Sequence, residues 1–377
     1  MLTRLSLCNF RCFSKLDINN LRRINIVTGP NGSGKTALLE GIYLGNKAVP
    51  FAVGRINAAR ALPNIAVPFI PGLLGLGLSA FSPAFTSESF RAQWDNLFHN
   101  YDTKENVKIE YDIEDSVLKT VKTYSLSLHY GDVGPGQTQL IQPPAINTGL
   151  ATTITPFVLS RQKGGGEPQN ITVNASGNQI THEAISDPLG LDSAYFTASG
   201  PYAETDNVTW FSDLSKAGEE QDLINSLRGI FPNIHDLNVL SFNGTSGIYA
   251  TTESGKKIPL SLVSAGIHKL LSIMLGLWSY QNSVIVIDEI ENGLFYERYA
   301  DMWRLMYDIA TRRNNQVFVS THSLECLQSM AGILSDHDED FCLLRPSRFS
   351  PTDSRDIEYV SGASLLAALA QSGEVRG

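Results

Sequence analysis

The chain has 377 residues, enough to bury a large core and to hold about two domains. With 42% hydrophobic and 18% charged residues it has the composition of an ordinary globular protein, which excludes a disordered or fibrous chain. The net charge of −9 argues against a broadly basic surface that coats nucleic acid, although a local basic groove is compatible with it.

The N-terminal segment 1–10 alternates like a strand and lacks the apolar core and cleavage site of a secretion signal. The cysteines form no C-x-x-C pair and have no histidines at zinc-site spacing. We interpret them as reduced structural thiols and expect a cytoplasmic protein. They are Cys8, Cys12, Cys326 and Cys342.

Residues 29–36 are Gly-Pro-Asn-Gly-Ser-Gly-Lys-Thr and complete the phosphate-loop pattern G-x-x-x-x-G-K-[ST]. They follow the apolar run 24–27 and precede a helix, so backbone N–H groups and the positive helix end point to one place. This context predicts a triphosphate site rather than a chance glycine turn. Lys35 would supply a cation to the terminal phosphates, and the Thr36 hydroxyl would ligate Mg²⁺. The predicted cofactors are therefore ATP and Mg²⁺, and the loop residues predicted to bind them are Asn31, Gly32, Ser33, Gly34, Lys35 and Thr36.

The stretch between about 50 and 220 carries weaker signals. Residues 61–87 contain no charged side chain, but their prolines and glycines break any helix long enough to cross a bilayer, so no membrane contact is expected. A partner-docking loop and a buried irregular insert both remain open for this segment. Strands are predicted at 107–112 and 117–129, a loop over 133–160, and short strands and turns over 171–200.

Ser264, Ala265 and Gly266 open an apolar-periodic helix. Ser264 is a plain N-cap candidate. A second interpretation is that these residues form another anion-binding helix end, which contacts a nucleotide held by a different subunit.

The run Val284–Ile287 has no charged residue and is followed by Asp288 and Glu289. Buried parallel strands present carboxylates in this way at their C-terminal ends, which is the Walker B pattern. Asp288 is predicted to hold Mg²⁺ through water, and Glu289 to orient or deprotonate the attacking water. The alternative is a strand end with a solvated tail.

A further strand at 317–320 is followed by His322, with an amphipathic helix predicted over 295–312 before it. A histidine at this edge of the sheet is placed to reach the γ-phosphate as a donor or sensor. The alternative is an ordinary polar residue at a strand end.

Five ordered motifs together resemble the ABC-type ATPases of the OLD and RecF-like group. They are the N-terminal Phe-Arg-Cys-Phe, the phosphate loop, Leu-Val-Ser-Ala-Gly-Ile-His-Lys, Val-Ile-Val-Ile-Asp-Glu-Ile-Glu-Asn-Gly-Leu and Ser-Thr-His-Ser. The resemblance covers about 1–45 and 220–345. It departs from the family at Phe295, where many relatives have histidine, and in the short Val-Ser-Ala-Gly signature. Gln93 is a candidate for the glutamine loop, with an exposed helix residue as the alternative.

The resemblance implies an α/β fold: a P-loop NTPase of the ABC-ATPase head type with a mixed sheet, a small antiparallel β-subdomain and an irregular or helical insert. It divides the chain into the N-terminal part of the head at 1–50, the insert and β-subdomain at 51–220, and the C-terminal part of the head at 221–377. It also implies a homodimer, or a higher homo-oligomer, in which residues 264–266 of one copy close the nucleotide held by the other.

Two absences narrow the function. Residues 50–220 contain no sustained heptad pattern, so coiled-coil arms are not expected. The residues after His322 are too few for the Toprim nuclease domain that OLD proteins carry. The acidic cluster at 336–340 is interpreted as a solvated loop.

We therefore expect a slow regulatory ATPase that controls a separate effector protein, as in two-component bacterial anti-phage systems. A RecF-like ATPase that clamps duplex DNA is the alternative, and a nucleotide-binding scaffold that barely hydrolyses is a third.

Overall fold

The computed structural model describes residues 1–60, 62, 87–115, 118–131, 154–176, 179–182, 190–198, 204–347 and 356–371. The predicted insert at 61–87 lies almost entirely outside the described residues. Most of the loop predicted at 133–160 also lies outside them, because residues 132–153 are not described.

The strands are β1 (Leu2–Phe10), β2 (Phe13–Asn19), β3 (Ile24–Val27), β4 (Val107–Glu114), β5 (Val121–Tyr130), β6 (Phe157–Lys163), β7 (Gln169–Ser176), β8 (Gln179–His182), β9 (Ser193–Phe196), β10 (Asp236–Phe242), β11 (Thr245–Thr251), β12 (Lys257–Pro259), β13 (Val284–Ile287), β14 (Gln316–Ser320), β15 (Phe341–Pro346) and β16 (Ile357–Ser361). The α-helices are α1 (Lys35–Lys47), α2 (Pro50–Ala59), α3 (Ser87–Arg91), α4 (Glu204–Ala217), α5 (Glu220–Ile230), α6 (Leu260–Val263), α7 (Ala265–Ser279), α8 (Tyr299–Arg312), α9 (Leu324–Gln328), α10 (Ala331–His337) and α11 (Gly362–Ala370). Short 3-10 turns lie at Asp95–Leu97, His99–Tyr101, Tyr296–Arg298 and Asp338–Asp340.

A mixed sheet with the strand order β16-β15-β3-β14-β13-β9 forms the centre of the chain. Its strands run parallel except for β16, which pairs antiparallel with β15. The inner strands β3, β13 and β14 are buried on both faces, which explains their charge-free sequences. Because these three strands are parallel, their C-terminal ends meet at one edge, where open α/β sheets bind ligands.

The two faces of the central sheet belong to different cores. Val284 and Val286 pack with α1 and α2 and with the antiparallel sheet, whereas Ile285 and Ile287 pack with α7 and α8. This division follows from the alternation of side chains along a strand. Helix α1, which follows the phosphate loop, is therefore held between two sheets.

The second sheet is antiparallel, with the order β2-β1-β4-β5-β6-β7-β8, and a three-stranded sheet, β10-β11-β12, packs near α4. The predicted fold class is confirmed, although the antiparallel sheet is larger than predicted. The domain boundaries stay a prediction: β1 and β2 lie in the antiparallel sheet, whereas β9 lies in the central one.

Several predicted boundaries are wrong. The loop predicted through residue 160 is strand from Phe157, since this segment pairs with β5. The helix predicted from 295 begins at Tyr299, after a 3-10 turn. The acidic cluster at 336–340 ends α10 and forms a 3-10 turn instead of a loop.

Candidate functional site

The phosphate loop forms a tight turn between β3 and α1. Gly34 has a φ of 109°, and a Cβ at this position would lie 2.9 Å from both Cys12 Sγ and Phe13 Cζ, so only glycine fits. The Lys35 ammonium donates to the carbonyl oxygens of Gly29 at 2.7 Å and Pro30 at 3.2 Å. Burial lowers the pKa of Lys35. Its charge thus lies inside the loop, where a phosphate would be bound.

Thr36 and Asp288 meet at the edge of the central sheet. The Thr36 hydroxyl donates to Asp288 Oδ2 at 3.0 Å, and the Ser320 hydroxyl donates to Asp288 Oδ1. Asp288 is 5% exposed, and burial raises the pKa of its carboxyl group despite these two hydrogen bonds. A hydroxyl and a carboxylate are hard oxygen ligands of the kind Mg²⁺ prefers. The pair therefore fits the predicted metal.

Glu289 follows Asp288 with a φ of +49°, a left-handed conformation that is unfavourable for a residue with a side chain. Its backbone N–H donates to the Ser320 hydroxyl at 2.8 Å, and its carboxylate accepts a hydrogen bond from Asn292 at 2.6 Å. Ser320 thus fixes both Walker B acids, and the strained backbone turns Glu289 toward the cavity.

Lys269, which sequence reasoning missed, lies on α7 one turn after Ser264. Lys269 is 4% exposed, and its ammonium donates to the backbone carbonyl oxygens of Asp288, at 3.4 Å, and Glu289, at 2.5 Å. Burial lowers the pKa of Lys269 to about 8. The residue joins the start of α7 to the Walker B segment. Two signals could have found it: its position inside an apolar helical run and its place at the end of the motif Leu-Val-Ser-Ala-Gly-Ile-His-Lys.

Two arginines share one buried carboxylate beside the loop. Glu40 is fully buried on α1 and pairs with Arg11 Nε at 3.1 Å and Arg60 Nε at 2.6 Å. The three side chains carry a net positive charge, and both arginines line the cavity described next. The sequence does not predict this pairing, because Arg11 and Glu40 lie 29 positions apart and no periodic pattern links them.

A cavity of about 930 Å³ lies over the phosphate loop. This volume is at the upper end for small-molecule sites and accommodates a whole nucleotide. Most of the predicted phosphate-loop and Walker B residues line it, together with several that were not predicted. The lining residues are Arg11, Cys12, Asn31, Gly32, Gly34, Lys35, Thr36, Ala37, Arg60, Asn96, Phe98, His99, Asn100, Tyr101, Asp288 and Glu289.

Ser33, Ser264, Ala265, Gly266 and His322 do not line this cavity. The Ser33 side chain is buried under the loop.

Ser264 caps α7 by accepting a hydrogen bond from the backbone of Ile267 at 3.5 Å, as its N-cap interpretation predicts. Gly266 touches the loop after Walker B, and a Cβ there would lie 1.7 Å from Gly293 O. Only glycine permits this contact. The start of α7 and the 292–293 loop therefore form one surface, separate from the cavity of their own chain.

His322 contacts the Walker B segment through Glu291. Its Nδ1 lies 3.0 Å from Glu291 Oε1 and 4.0 Å from Glu289 Oε1, and its backbone N–H donates to Glu291 at 2.8 Å. The imidazole is about half exposed. It lies beside Glu289 but outside the cavity wall. Gln93 is 5% exposed and also does not line the cavity, so it is not the exposed helix residue of the alternative interpretation.

Among the residues that the structure describes, no helix is both long and apolar enough to span a bilayer. No group of three or more His, Cys, Asp and Glu side chains there has the geometry of a metal site.

Two family models match the chain. The model described as "AAA ATPase domain" matches residues 202–327, and the one described as "AAA domain" matches residues 4–45. The first segment includes Ser264, Asp288 and His322, and the second contains the phosphate loop. The two matches thus cover all the predicted nucleotide, metal and catalytic residues, whereas the glutamine-loop candidate Gln93 lies outside both.

Two curated proteins are similar in sequence. The "ATP/GTP phosphatase" of Helicobacter pylori is 22% identical over 379 residues, which cover 93% of this chain and 94% of that protein. The "DNA replication and repair protein RecF" of Idiomarina loihiensis is 58% identical over 40 residues, or 11% of each chain.

Two solved structures are similar in fold. The "SMC head domain from Thermotoga maritima" has a TM-score of 0.44 at 14% identity and covers 96% of this chain and 99% of that one. The "SmcHead bound to the C-winged helix domain of ScpA" has a TM-score of 0.47 at 12% identity, covering 96% and 97%. Both segments matched by the AAA models contain the residues of the candidate site: the phosphate loop in one, and Asp288 and Glu289 in the other.

Proposed function

We propose that this protein binds MgATP between two copies of the chain, hydrolyses it slowly, and uses the nucleotide state to control a separate effector protein. The observation that carries the proposal is the linkage of Thr36, Asp288, Ser320 and Glu289. These residues come from three segments, and hydrogen bonds between their side chains and the backbone N–H of Glu289 hold them together at a nucleotide-sized cavity.

The chain's own residues divide the work of hydrolysis. Lys35 would exchange its two loop carbonyls for the terminal phosphates. Thr36 and Asp288 would hold Mg²⁺, which supplies charge neutralisation to the phosphates when it is bound. The Glu289 carboxylate, held by Asn292, would orient the attacking water and accept its proton. His322 would sense the γ-phosphate beside Glu289.

The position of residues 264–266 supports a dimer. They lie outside the cavity of their own chain, at a surface that they share with the 292–293 loop. Exposed apolar side chains flank this surface: Leu262 is 75% exposed, Phe295 61% and Tyr296 57%. A second copy would cover these side chains and bring Ser264 to the opposite nucleotide.

Three finer points belong to the same proposal: an OLD-like subgroup, a cytoplasmic location and a role in bacterial anti-phage defence with a separate effector. The net charge of −9 favours control of a protein partner over a DNA clamp. The capture experiment with Glu289→Gln distinguishes a protein partner from a DNA partner.

Mixing two variants tests the shared site. Ser264→Arg would block only the partner's nucleotide, and Lys35→Ala would empty only its own loop. In a mixed dimer one of the two sites keeps both intact residues, so the mixture should regain activity that neither variant has alone, up to one site per dimer. Two inactive variants that stay inactive when mixed, or a Ser264→Arg chain that is fully active alone, would contradict the geometry.

The effector is tested by capture with the Glu289→Gln variant, with and without ATP. A protein retained only with ATP supports effector control. Salt-sensitive binding of duplex DNA in the ATP state, with no protein retained, would favour the RecF-like alternative instead. Lys35→Ala is the control, since its capture should not depend on ATP.

A further inference from the structure

A further buried acid follows the two Walker B acids. Glu291 is 6% exposed and lies in the turn after β13, three positions beyond Asp288. Hydrogen bonds hold the backbone of this turn: Ile290 N–H donates to Ser320 O at 3.1 Å, and Leu294 N–H donates to Glu291 O at 3.0 Å. The proposed hydrolysis gives the Glu291 carboxylate no part. Because a glutamate is rarely buried unless its charge has a partner, its contacts indicate what it does.

One oxygen of Glu291 makes two contacts with a single residue. Oε1 accepts a hydrogen bond from the backbone N–H of His322 at 2.8 Å, and it lies 3.0 Å from Nδ1 of the same residue. An ionised carboxylate only accepts hydrogen bonds, so the hydrogen in the second contact belongs to Nδ1. Nε2 is then the ring nitrogen that remains for a ligand. The partner of one ring nitrogen thus sets the tautomer and the orientation of the whole imidazole.

A second role for Glu291 is that of a counter-charge. Burial lowers the pKa of Lys269 to about 8, and the Glu291 carboxylate opposes this lowering more than Asp288 or Glu289 does. The Lys269 ammonium, however, donates to the backbone carbonyl oxygens of residues 288 and 289. Within the described part of the chain, Glu291 Oε2 is buried and has no hydrogen-bond partner. The short contacts of this carboxylate are therefore those with His322.

We propose that Glu291 is a positioning residue that keeps the hydrogen of His322 on Nδ1 and leaves Nε2 available to the nucleotide. The inference rests on the proposed function, in which His322 senses the γ-phosphate. A neutral ring held in this way accepts a hydrogen bond at Nε2 and donates there only when it is protonated. Glu289 Oε1, 4.0 Å from Nδ1, is the other carboxylate oxygen near the ring. Without Glu291, the ring could turn to Glu289 and compete with the attacking water for it.

Two substitutions separate the hydrogen bonds of Glu291 from its charge. Glu291→Gln keeps a carbonyl oxygen that can accept both contacts, whereas Glu291→Leu keeps only the approximate size. At saturating MgATP, kcat should fall about tenfold in Glu291→Leu and stay within about threefold in Glu291→Gln. ATP affinity, measured by calorimetry, should change by less than about twofold in both. Glu325→Leu, which replaces an exposed acid on α9, is the control and should keep the original kcat.

The tautomer can be measured without nucleotide. In protein that carries nitrogen-15 in its seven histidines, a long-range nitrogen–proton spectrum distinguishes Nδ1–H from Nε2–H, and His322→Ala assigns the signal. At a pH where the ring is neutral, His322 should carry Nδ1–H in the original chain and in Glu291→Gln. Glu291→Leu should show both tautomers. Adding Glu291→Leu to His322→Ala should lower kcat no further, because both changes act through one ring.

Three results would overturn the proposal. An unchanged tautomer and kcat in Glu291→Leu would leave Glu291 without a role at His322. Equal losses of kcat and of stability to urea in both Glu291 variants would make this residue the counter-charge of Lys269, since both variants lack the charge. A further loss in the double variant would mean that Glu291 acts elsewhere. Failure of the proposed function has a different signature: ATP hydrolysis would be absent or insensitive to Lys35→Ala, and the tautomer measurement would still test the contact.

Discussion

The two walls of the cavity are built in different ways. On one wall, the loop, Thr36 and the Walker B acids come from contiguous motifs at the ends of parallel strands, and Lys35 bonds to a carbonyl only six positions away. On the other wall, Arg11 and His99 meet although 88 positions separate them. In the proposed function, the first wall would hold the reacting phosphates and the second would contact the rest of the ligand. A sequence motif predicts a site that one short segment can form. A wall built from turns that are distant in the sequence can be located only in the folded structure.

The largest effect, a loss of ATP affinity, is expected at the phosphate loop. Lys35→Ala removes the only side-chain cation of the phosphate loop, so ATP affinity should fall about 100-fold or more, because charged hydrogen bonds to phosphate are among the strongest. Calorimetric titration with MgATP measures this loss. Lys47→Ala is the matched control from the same helix: its surface pair with Asp192 should leave affinity unchanged. If Lys35→Ala still binds the nucleotide with the original affinity, the phosphate loop is not the nucleotide-binding site.

The next effect separates binding from chemistry within that wall. Glu289→Gln keeps the shape and the Asn292 contact but cannot accept a proton, so kcat should fall about 100-fold or more while ATP affinity stays within about twofold. Single-turnover hydrolysis and an equilibrium titration measure the two quantities. Glu297→Gln, an exposed acid in the following 3-10 turn, should change neither. Hydrolysis by Glu289→Gln at the original rate would show that another group activates the water.

At the second wall, a substitution should lower the free energy of unfolding and not the rate of hydrolysis. Glu40→Gln leaves Arg11, whose side chain is 8% exposed, without its buried counter-charge. Breaking one partner of such a buried pair costs about 3 kcal/mol in the free energy of unfolding. Urea denaturation measures the loss. Glu114→Gln is the control, because its pair with Lys119 is largely exposed and should contribute less than about 0.5 kcal/mol. Equal stability of the two variants would mean that the arginines do not depend on Glu40.

The sequence predicted the motif-built wall almost completely. The strands at 24–27 and 284–287 and the phosphate loop between β3 and α1 follow from runs of residue types with one favoured local structure. The N-cap at Ser264, which lies outside the cavity, was predicted in the same way. The start of β6 at Phe157 could not be predicted in the same way. The preceding segment is rich in Gly, Pro and Thr, and the position where the strand begins depends on its pairing with β5.

The unpredicted site residues share one property. Arg11, Arg60 and Ser320 each contact a group far away in the sequence. Arg11 and Ser320 belong to the motifs Phe-Arg-Cys-Phe and Ser-Thr-His-Ser, but neither motif indicates which distant group its residue contacts. Ser320 ends a predicted strand, but its hydrogen bonds to both Walker B residues depend on the pairing of β13 with β14. Pairing of parallel strands across 30 residues has no local signature in one sequence.

The smallest effect tests whether the start of α7 is coupled to the catalytic carboxylate of Glu289. Lys269→Met removes the amine that donates to the carbonyl of Glu289 but preserves the length and packing of the side chain. Replacing a buried charge by an apolar group of similar size is often neutral or stabilising, so the urea midpoint should not fall. If Lys269 positions Glu289 from the start of α7, kcat should nevertheless fall about tenfold, because a small displacement of a catalytic group is costly. Lys256→Met, in the exposed turn before β12, is the control. A loss of stability with unchanged kcat would make Lys269 a structural residue, and α7 would then have no path to the catalytic carboxylate within its own chain.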